Sequence, residues 1–592
     1  MATRFLALIC PPQTAEGNRI DQLAHIATRQ IELKHRVDLP GLQLFCDKDA
    51  ACAALEQGQG AILGPVFDRT SGSAIAEWDA HRCATLIASH GLALIEQHWG
   101  HYIAFLKDGS DMIRIIRAPM GALPAYWTRE GPLLILASDT ALLAECEAIK
   151  PSIAWDQVAQ HLLTPGLRTE ATCLEDITEL RGGCALSWSG NIWQTQELWS
   201  PWRFADRAQA MKDEDQAIRA LRETTMQSMR SQTKPYRSML VSLSGGLDSS
   251  IVAACASRAS GGVSCLTLAT RDARGDERSF ARLMAQKIGA RLFEVFEDAS
   301  RVDMTQSHAG HLPRPVARAF AQSSEAATRE IAAEIGAEAV LSGGGGDNLF
   351  CNMQSVLPIV DRLLHHGPGP GMIASARDMS RITQTSMTEI LKRSLKRALR
   401  RDPRYRWPRE AGLLHDAAVE AGNALAVHPW LNAPARALPG KAAHIAWLMH
   451  IENFLEGFDS DARLVKLSPL MTQPLAELCL RIPTWMWCAG GEDRALARRA
   501  FADLLPPDIL ARRIKGTHDS FVITLFDRNR AVLREMLADG QLVRNGLVDR
   551  AAMLDALSAE GPVRGSAYSR ILALADVEAW VQAWVNRPRP PQ

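Results

Sequence analysis

Short apolar clusters separated by Gly, Pro and Asp residues dominate the first two hundred residues of the chain. Such spacing is typical of β-strands joined by tight turns. The short interval between residues 126–127 and 133–137 further predicts two paired strands of one sheet. The predicted strands lie at residues 5–10, 61–66, 102–105, 112–116 and 133–137.

The pattern changes near residue 205. Residues 213–229 have helical periodicity without Gly or Pro, and strands and helices then alternate in the rhythm of a parallel sheet covered by helices. We therefore predict an α/β protein with an α+β domain over residues 1–205 and a second domain over 206–592. The second domain's predicted strands are 239–243, 263–269 and 339–341, with helices from about 249 and at 277–288 and a helix-rich region at 440–585.

Composition excludes several classes of protein. The chain has 592 residues with 66 Lys+Arg and 66 Asp+Glu, so bulk binding to nucleic acid or to a membrane surface is not expected. No apolar run has the length of a membrane span, and the first apolar run is too short for a signal peptide. Twelve cysteines occur without a Cys-x-x-Cys pair, which favours reduced thiols in a cytoplasmic protein over disulfides or a zinc site.

One loop carries the strongest chemical signal. After the predicted strand at 239–243 the chain reads Ser-Gly-Gly-Leu-Asp-Ser-Ser over residues 244–250. Glycines let backbone N–H groups turn inward, and the helix that follows adds partial positive charge, so the loop can hold phosphate. The residues expected to bind the phosphates are Ser244, Gly245, Gly246, Asp248, Ser249 and Ser250.

Asp248 indicates a metal ion as well. Its carboxylate would repel a phosphate unless a cation lay between them, so the loop predicts Mg²⁺. The Gly-Lys-Ser/Thr end of a Walker A motif is absent, which argues against a P-loop kinase or GTPase. The loop instead resembles the pyrophosphate loop (PP-loop) of ATP pyrophosphatases, which leave AMP on a carboxylate. An ordinary glycine-containing turn is the alternative.

A second loop follows another short strand. Ser342 is succeeded by four glycines, beginning with Gly343, and then by Asp347. Because the carboxyl ends of parallel strands converge on one crevice, we expect Asp347 to face Asp248 across a shared Mg²⁺. Ser342 and Gly343 are expected to contact ATP. A flexible surface loop is the alternative, since four glycines are costly in backbone entropy unless something approaches them closely.

The two loops together resemble the asparagine synthase family. Residues 244–250 resemble its pyrophosphate loop, residues 342–350 its second glycine loop, and Arg513 and Lys515 match the position of its catalytic lysine. The resemblance implies that Lys515 stabilises the charge that develops during adenylation and acyl transfer. Without the resemblance, Lys515 is a surface cation in a basic cluster.

The N-terminal part resembles the family's glutaminase domain, an Ntn-type sandwich. Active glutaminases of the family expose Cys as the first residue, whose thiol is the nucleophile. Here Met1 precedes Ala2, and Cys10 falls in a predicted strand, so we expect a degenerate domain that serves as a structural remnant or a docking module. The resemblance rests on Trp99, Gly100, Tyr102, Arg117, Pro119, Gly121, Ala137, Ser138 and Asp139.

A second departure concerns acid/base chemistry. Asparagine synthetases carry Glu, and β-lactam synthetases Tyr, at the position of Gly344, and residues 464–466 lack the Glu that pairs with this Tyr. Residues 468–475, 479–483 and 490–501 are similar to those of lasso-peptide macrolactam synthetases. Those enzymes adenylate an Asp or Glu side chain of a ribosomal precursor peptide, and the peptide's N-terminal amine closes the ring.

That resemblance implies ATP and Mg²⁺ as cofactors, the precursor peptide as substrate and a leader-peptide protease as partner. An ammonia-dependent or β-lactam-type ligase acting on a small acid is the first alternative. An inactive scaffold that binds peptide is the second. A basic run over residues 390–409 has two interpretations, a solvated helix face or a docking surface for an acidic peptide or partner protein.

Overall fold

The computed structural model describes residues 3–10, 17–107, 112–189, 192–259, 262–272, 275–400, 402–425, 427–455, 464–513, 516–558 and 567–587. It is a mixed α/β fold with antiparallel sheets up to residue 197 and a parallel sheet from residue 239 onward. None of the described helices is long and apolar enough to cross a membrane.

The strands of the described chain are β1 (Phe5–Ile9), β2 (Lys34–Leu39), β3 (Leu42–Cys46), β4 (Cys52–Ala54), β5 (Gly60–Leu63), β6 (Val66–Asp68), β7 (His98–Gly100), β8 (Ile103–Lys107), β9 (Ile113–Arg117), β10 (Tyr126–Glu130), β11 (Leu133–Ala137), β12 (Thr178–Glu179), β13 (Cys184–Ser189), β14 (Ile192–Glu197), β15 (Met239–Ser242), β16 (Val263–Ala269), β17 (Arg291–Phe296), β18 (Ala339–Ser342) and β19 (Val465–Leu467).

The α-helices are α1 (Gly17–Arg29), α2 (Ala80–Ala88), α3 (Leu92–Gln97), α4 (Thr140–Glu145), α5 (Trp155–Leu163), α6 (Glu214–Thr233), α7 (Leu247–Ala259), α8 (Arg278–Ile288), α9 (Ala321–Ile335), α10 (Gly346–Leu349), α11 (Leu357–His366), α12 (Pro370–Thr383), α13 (Met387–Leu399), α14 (Asp416–Ala424), α15 (Pro439–Ile451), α16 (Gln473–Arg481), α17 (Ala495–Ala500), α18 (Pro507–Ala511), α19 (Asp519–Arg528), α20 (Arg530–Ala538), α21 (Gln541–Arg544), α22 (Arg550–Ser558) and α23 (Ala567–Val585).

Two antiparallel sheets pack face to face in the first part of the chain. Their strand orders are β12-β10-β11-β1-β3-β2 and β14-β13-β9-β8-β5-β4. On β1, Phe5 and Ala7 lie in the core between the sheets, whereas Leu6 and Leu8 lie in a second core with α1 and α5. Because β1 is buried on both faces, its sequence is a continuous apolar run instead of an alternation of apolar and polar residues. Helices α2 and α3 cover the other sheet.

The predicted strands of this part are found with adjusted ends. The pairing of β10 with β11 is confirmed. The strand predicted at residues 61–66 is wrong, because the chain forms β5 and β6 on either side of Gly64 and Pro65. Gly64 has φ +95°, and a Cβ there would lie 2.1 Å from the carbonyl oxygen of His101. β1 ends at Ile9, so the buried Cys10 follows the strand instead of lying in it.

The parallel sheet has the order β17-β16-β15-β18-β19, and its parallel pairing is confirmed. Val241 of β15 lies in one core with Ile251 of α7, while Leu240 lies in another with Ala332 of α9. Helices therefore cover both faces, and β15 is central. Ser242 and Ser342 end neighbouring strands in register, so the loops that follow them begin side by side.

The cysteines are distributed through the interior of the described chain. All twelve cysteines lie in the described residues, and each is a free thiol. Eleven are buried, and Cys52 is partly exposed. Burial raises the pKa of several of them, including Cys265 to about 12, because an apolar environment disfavours the thiolate.

Glu179 of β12 connects the first part of the chain to the second. Its carboxylate accepts hydrogen bonds from Arg117 (2.7 Å) and Arg168 (2.6 Å), and from Arg314 (2.7 Å), which precedes α9. The carboxylate is fully buried, with a side-chain exposure of 2%. Burial alone would raise the pKa of Glu179, yet the three guanidinium groups together hold that pKa well below its usual range.

We predict that Glu179→Gln lowers the free energy of unfolding by about 3–5 kcal/mol, because three buried guanidinium groups would lose their shared counter-charge. Urea denaturation followed by circular dichroism measures this change. The control is Glu170→Gln, which removes the 39% exposed partner of Arg181 and should cost less than about 1 kcal/mol. Equal effects of the two substitutions would contradict the role of Glu179.

Candidate active site at the carboxyl edge of the parallel sheet

The loop after β15 is a compact turn into α7. The hydroxyls of Ser244 and Ser249 are 3.1 Å apart, and the Gly246 N–H donates to Ser244 Oγ over 3.3 Å. Gly245 has φ +68°, and a Cβ there would lie 2.4 Å from Cβ of Phe280. The turn therefore requires glycine at this position, as the sequence predicted.

Helix α7 starts earlier than predicted, at Leu247 instead of about Ser249. Asp248, Ser249 and Ser250 consequently lie in its first turn, where backbone N–H groups have no partner within the helix. Ser250 is fully buried, and its N–H already donates to the Gly246 carbonyl over 3.1 Å. The N–H groups nearest the helix start therefore have no partner within the helix, and N–H groups in this position can bind an anion.

The glycines of the second loop are explained by its contact with the first. A Cβ at Gly343 would lie 2.6 Å from the Ser249 nitrogen, and one at Gly346 would lie 2.4 Å from Cγ of Asp248. Gly345 has φ +84°. Three of the four glycines are therefore required by the backbone and by packing between the loops. Gly344 differs, because its added Cβ would meet only Ser342 Oγ, at 3.2 Å.

Asp248 and Asp347 come together as expected, but an arginine joins them. Nη1 of Arg494 donates to Asp248 over 2.9 Å and to Asp347 over 2.5 Å. The same guanidinium contacts Asp493 through Nη2 at 2.7 Å. Burial opposes the charge of Arg494, yet Asp248, Asp347 and Asp493 together raise its pKa above the usual range. One guanidinium therefore offsets part of the negative charge of the two carboxylates, and the cluster keeps a net negative charge that a further cation can balance.

The backbone of Arg494 is strained, and contacts of neighbouring side chains keep it in this conformation. It has φ +52°, a left-handed conformation that a side chain with a Cβ seldom adopts, and it immediately precedes α17. Asp493 is fixed in turn by Arg498, whose Nη2 donates to it over 2.7 Å. Strained residues of this kind cluster at functional sites, and the strain persists where neighbouring contacts fix the conformation.

Lys515, the predicted catalytic residue, lies outside the described residues. The described residues around it are tied to α8. Glu277, directly before α8, accepts the Gly516 N–H over 3.0 Å and also pairs with Arg512. The guanidinium of Arg512 stacks 4.2 Å from the ring of Phe280, the residue that lies against Gly245. Both flanks of the predicted lysine are therefore anchored beside the loop that follows β15.

The structure brings Ser244, Asp248, Ser249, Ser342 and Asp347, all predicted as site residues, to one edge. No role was predicted for Arg494, Asp493 and Glu277, although the first two lie in the segment 490–501 that carried part of the resemblance. The main partners of Arg494 and Glu277 lie far along the chain, so no local pattern shows what these residues contact. A left-handed arginine in particular has no signature in the sequence.

The donor set suits a magnesium ion that shares its ligands with a nucleotide. Among the described residues no group of three or more His, Cys, Asp or Glu side chains is arranged to hold a metal. The protein instead offers the two carboxylates of Asp248 and Asp347. Mg²⁺ is commonly bound by one or two carboxylates, with phosphate oxygens and water completing the shell.

Comparison with known proteins gives one clear match. A family model described as asparagine synthase matches residues 220–585, which is more than half of the chain. No curated protein matches the sequence.

Two solved structures show a remote likeness. One is an allosteric regulatory enzyme of purine biosynthesis, 10% identical, with a TM-score of 0.22 over 57% of this chain and 89% of that one. The other is glutamine phosphoribosylpyrophosphate amidotransferase from B. subtilis with ADP and GMP, also 10% identical at a TM-score of 0.22, over 57% of this chain and 90% of that one. At these values the likeness carries no argument about this chain.

We predict that Arg494→Ala tightens Mg²⁺ binding by about 10-fold in the absence of nucleotide, because the guanidinium no longer competes for Asp248 and Asp347. Isothermal titration with MgCl₂ measures the affinity, and thermal unfolding checks that the variant is folded. Arg494→Lys retains the cation and should stay near the wild-type value.

The matched control is Arg499→Ala on the helix that follows Arg494, an arginine whose side chain is 41% exposed and which pairs with Glu214. It should leave Mg²⁺ binding unchanged. Wild-type affinity in a folded Arg494→Ala protein would show that the arginine does not occupy the metal position.

Proposed function

The chain belongs to the asparagine synthase family, whose chemistry is ATP-dependent ligation, and we propose that it is a macrolactam synthetase acting on a ribosomal precursor peptide. In this proposal the enzyme activates an Asp or Glu side chain of the peptide with ATP. The peptide's own N-terminal amine then closes an isopeptide bond. The observation that carries the ATP chemistry is the Asp248–Asp347 pair, held between two glycine loops at one edge of a parallel sheet.

The phosphates of ATP fit the first loop. The helix start of α7 presents N–H groups, and Ser244 and Ser249 present hydroxyls beside them. Asp248 and Asp347 would hold Mg²⁺, which neutralises phosphate charge when bound. Arg494 then has to release at least part of its contact with the two carboxylates. Its guanidinium, still anchored by Asp493, becomes available to the departing pyrophosphate.

The reaction has two balanced steps. A side-chain carboxylate oxygen of the peptide attacks the α-phosphorus of ATP, the bond to the bridging oxygen breaks, and pyrophosphate leaves. The neutral N-terminal amine then attacks the acyl carbon, AMP leaves with the bonding electron pair, and the amine releases a proton to solvent. Lys515, assigned by resemblance, stabilises the negative charge of both transition states.

The lack of an acid/base residue is compatible with this substrate. An α-amino group has a pKa of about 7.7–8.0, so a fraction is already neutral near pH 7. Holding amine and acyl group in one pre-folded peptide lowers the barrier by up to about 7–11 kcal/mol in ideal intramolecular cases. Gly344, where related small-acid ligases carry Glu or Tyr, is the glycine of the second loop whose added Cβ would meet only the Ser342 hydroxyl, at 3.2 Å.

The same proposal assigns residues 1–205 to a glutaminase-like, Ntn-type domain and residues 206–592 to a PP-loop ligase domain. The sandwich of two antiparallel sheets between helices supports the first assignment. A protease that removes a leader peptide and exposes the attacking amine is the proposed partner. A ligase acting on a small acid with ammonia is the first competing function, and an inactive peptide-binding scaffold is the second.

A pyrophosphate-release assay with candidate precursor peptides separates the three functions. We expect peptide-dependent release of pyrophosphate and AMP, with loss of one water from the peptide by mass spectrometry. A peptide with an acetylated N-terminus should keep its water, because the attacking amine is blocked. The control is Asp248→Asn, which should abolish release of pyrophosphate because it removes a proposed Mg²⁺ ligand of this site.

Turnover with aspartate and ammonia in the absence of peptide would replace the proposal with a small-acid ligase. A protein that binds peptide without hydrolysing ATP would be the scaffold. Each of these outcomes overturns ring closure as the function.

Lys515→Ala should reduce ring closure by at least about 100-fold while the protein stays folded, because oxyanion-stabilising groups contribute this much to catalysis. Arg513→Ala, two residues away, is the matched control. Its guanidinium contacts the Gly491 carbonyl and Glu492 with a side-chain exposure of 59%, so its loss should leave turnover nearly unchanged. Normal ring closure in Lys515→Ala would remove this lysine from the site.

A further inference from the structure

Helix α13 contains the first part of the basic run and is fixed to the protein by one face. Ser386 caps its start by accepting the Glu389 N–H. Ile390 is 3% exposed and shares a small core with Met379 of α12 and with Cys488. Met387 and Leu391 pack against the same core. Most apolar side chains of α13 are therefore already covered.

Two leucines near the end of α13 are not covered. Leu395 is 58% exposed and Leu399 is 71% exposed, more than any other large hydrophobic side chain of the described residues. A spacing of four residues places them on successive turns of the same side of the helix. Single exposed leucines are common on protein surfaces, but an adjacent pair forms a small apolar patch.

Cations surround this patch. Residues 387–409 contain nine Lys and Arg against two Asp and Glu, a net charge of +7 in a chain that is neutral overall. Both acids are already paired within the run, Glu389 with Arg393 and Asp402 with Arg404. Within the described part of the chain, five of the cations form no ion pair; these are Lys392, Lys396, Arg397, Arg400 and Arg409.

We propose that this surface docks an acidic amphipathic helix of a partner protein. Lys392, Leu395, Lys396 and Leu399 follow the i, i+3, i+4, i+7 spacing of one helical stripe, which we call the α13 stripe. Apolar side chains of the partner cover the two leucines, and its carboxylates pair with the cations.

Other ligands of a basic surface fit the α13 stripe less well. A nucleic acid would pair its phosphates with the cations but leave the leucines in contact with water. An anionic membrane needs a broad apolar face. The apolar face of α13, formed by Met387, Ile390 and Leu391, already packs against the protein and does not face solvent. An acidic amphipathic helix satisfies both the charge and the apolar patch.

The buried face of α13 adjoins the segment that leads to the site arginine. Ile390 shares its core with Cys488, and Gly491, three residues before Arg494, lies against Arg381 on α12. The α13 stripe lies on the outer side of the helix, so a partner docked there is separated from this segment by α13 itself.

Fluorescence anisotropy with the full-length protein tests the proposal. The probe is a labelled helical peptide with leucines on one face and glutamates beside them, and the control peptide carries Gln in place of Glu. We expect the acidic peptide to bind, more weakly at high salt, and the control peptide to bind at least about 10-fold more weakly. Paired variants Leu395→Ser with Leu399→Ser, and Lys392→Gln with Lys396→Gln, should each weaken binding at least about 10-fold.

The matched control combines Val532→Ser, at a valine 39% exposed, with Lys287→Gln on α8, and should bind like wild type. All substituted side chains are exposed, so the variants should keep the wild-type melting temperature. Failure of the acidic peptide to bind, or equal binding by the leucine variant, would overturn the proposal. Binding to phosphatidylserine vesicles or duplex DNA in place of the peptide would overturn it in favour of that ligand.

Discussion

Two carboxylates at one sheet edge require a cation between them, and much of the structure around the candidate site follows from this requirement. Parallel pairing of β15 with β18 brings Asp248 and Asp347 to the same crevice. Like charges this close raise each other's pKa unless an opposite charge intervenes. Arg494 supplies that charge from a left-handed backbone. The fold thus tolerates an ionised pair before any metal or nucleotide is bound.

Sequence reasoning succeeded where a residue's role is set by its neighbours in the chain. The strands and the two glycine loops are of this kind, since apolar runs and turn residues are local signals. It failed where a role depends on distant partners. Arg494 meets Asp248 from 246 residues away, and Glu277 meets Gly516 from 239 residues away. The sequence indicated only that something approaches the four glycines closely; in the structure Gly343 and Gly346 pack against the first loop, and Gly345 has a positive φ.

A second charge cluster, around Glu179, joins the antiparallel sheets to the part of the chain that carries the parallel sheet. Glu179 is permanently buried with three arginines, one of which, Arg314, belongs to the part of the chain that carries the parallel sheet. Loss of any one partner would leave buried charge uncompensated, so the cluster fixes the antiparallel sandwich to that part. At the candidate site the charges are partly accessible, with Asp347 33% exposed, and a ligand can exchange with them.

The second glycine loop also bears on how this protein can diversify. At Gly343 and Gly346 an added Cβ would collide with the first loop, so these positions are closed to mutation while the two loops stay in contact. At Gly344 an added Cβ would meet only the Ser342 hydroxyl, at 3.2 Å, so a small shift of one side chain is enough to admit it. Evolutionary change in this loop is therefore confined to one position that can vary without separating the two loops.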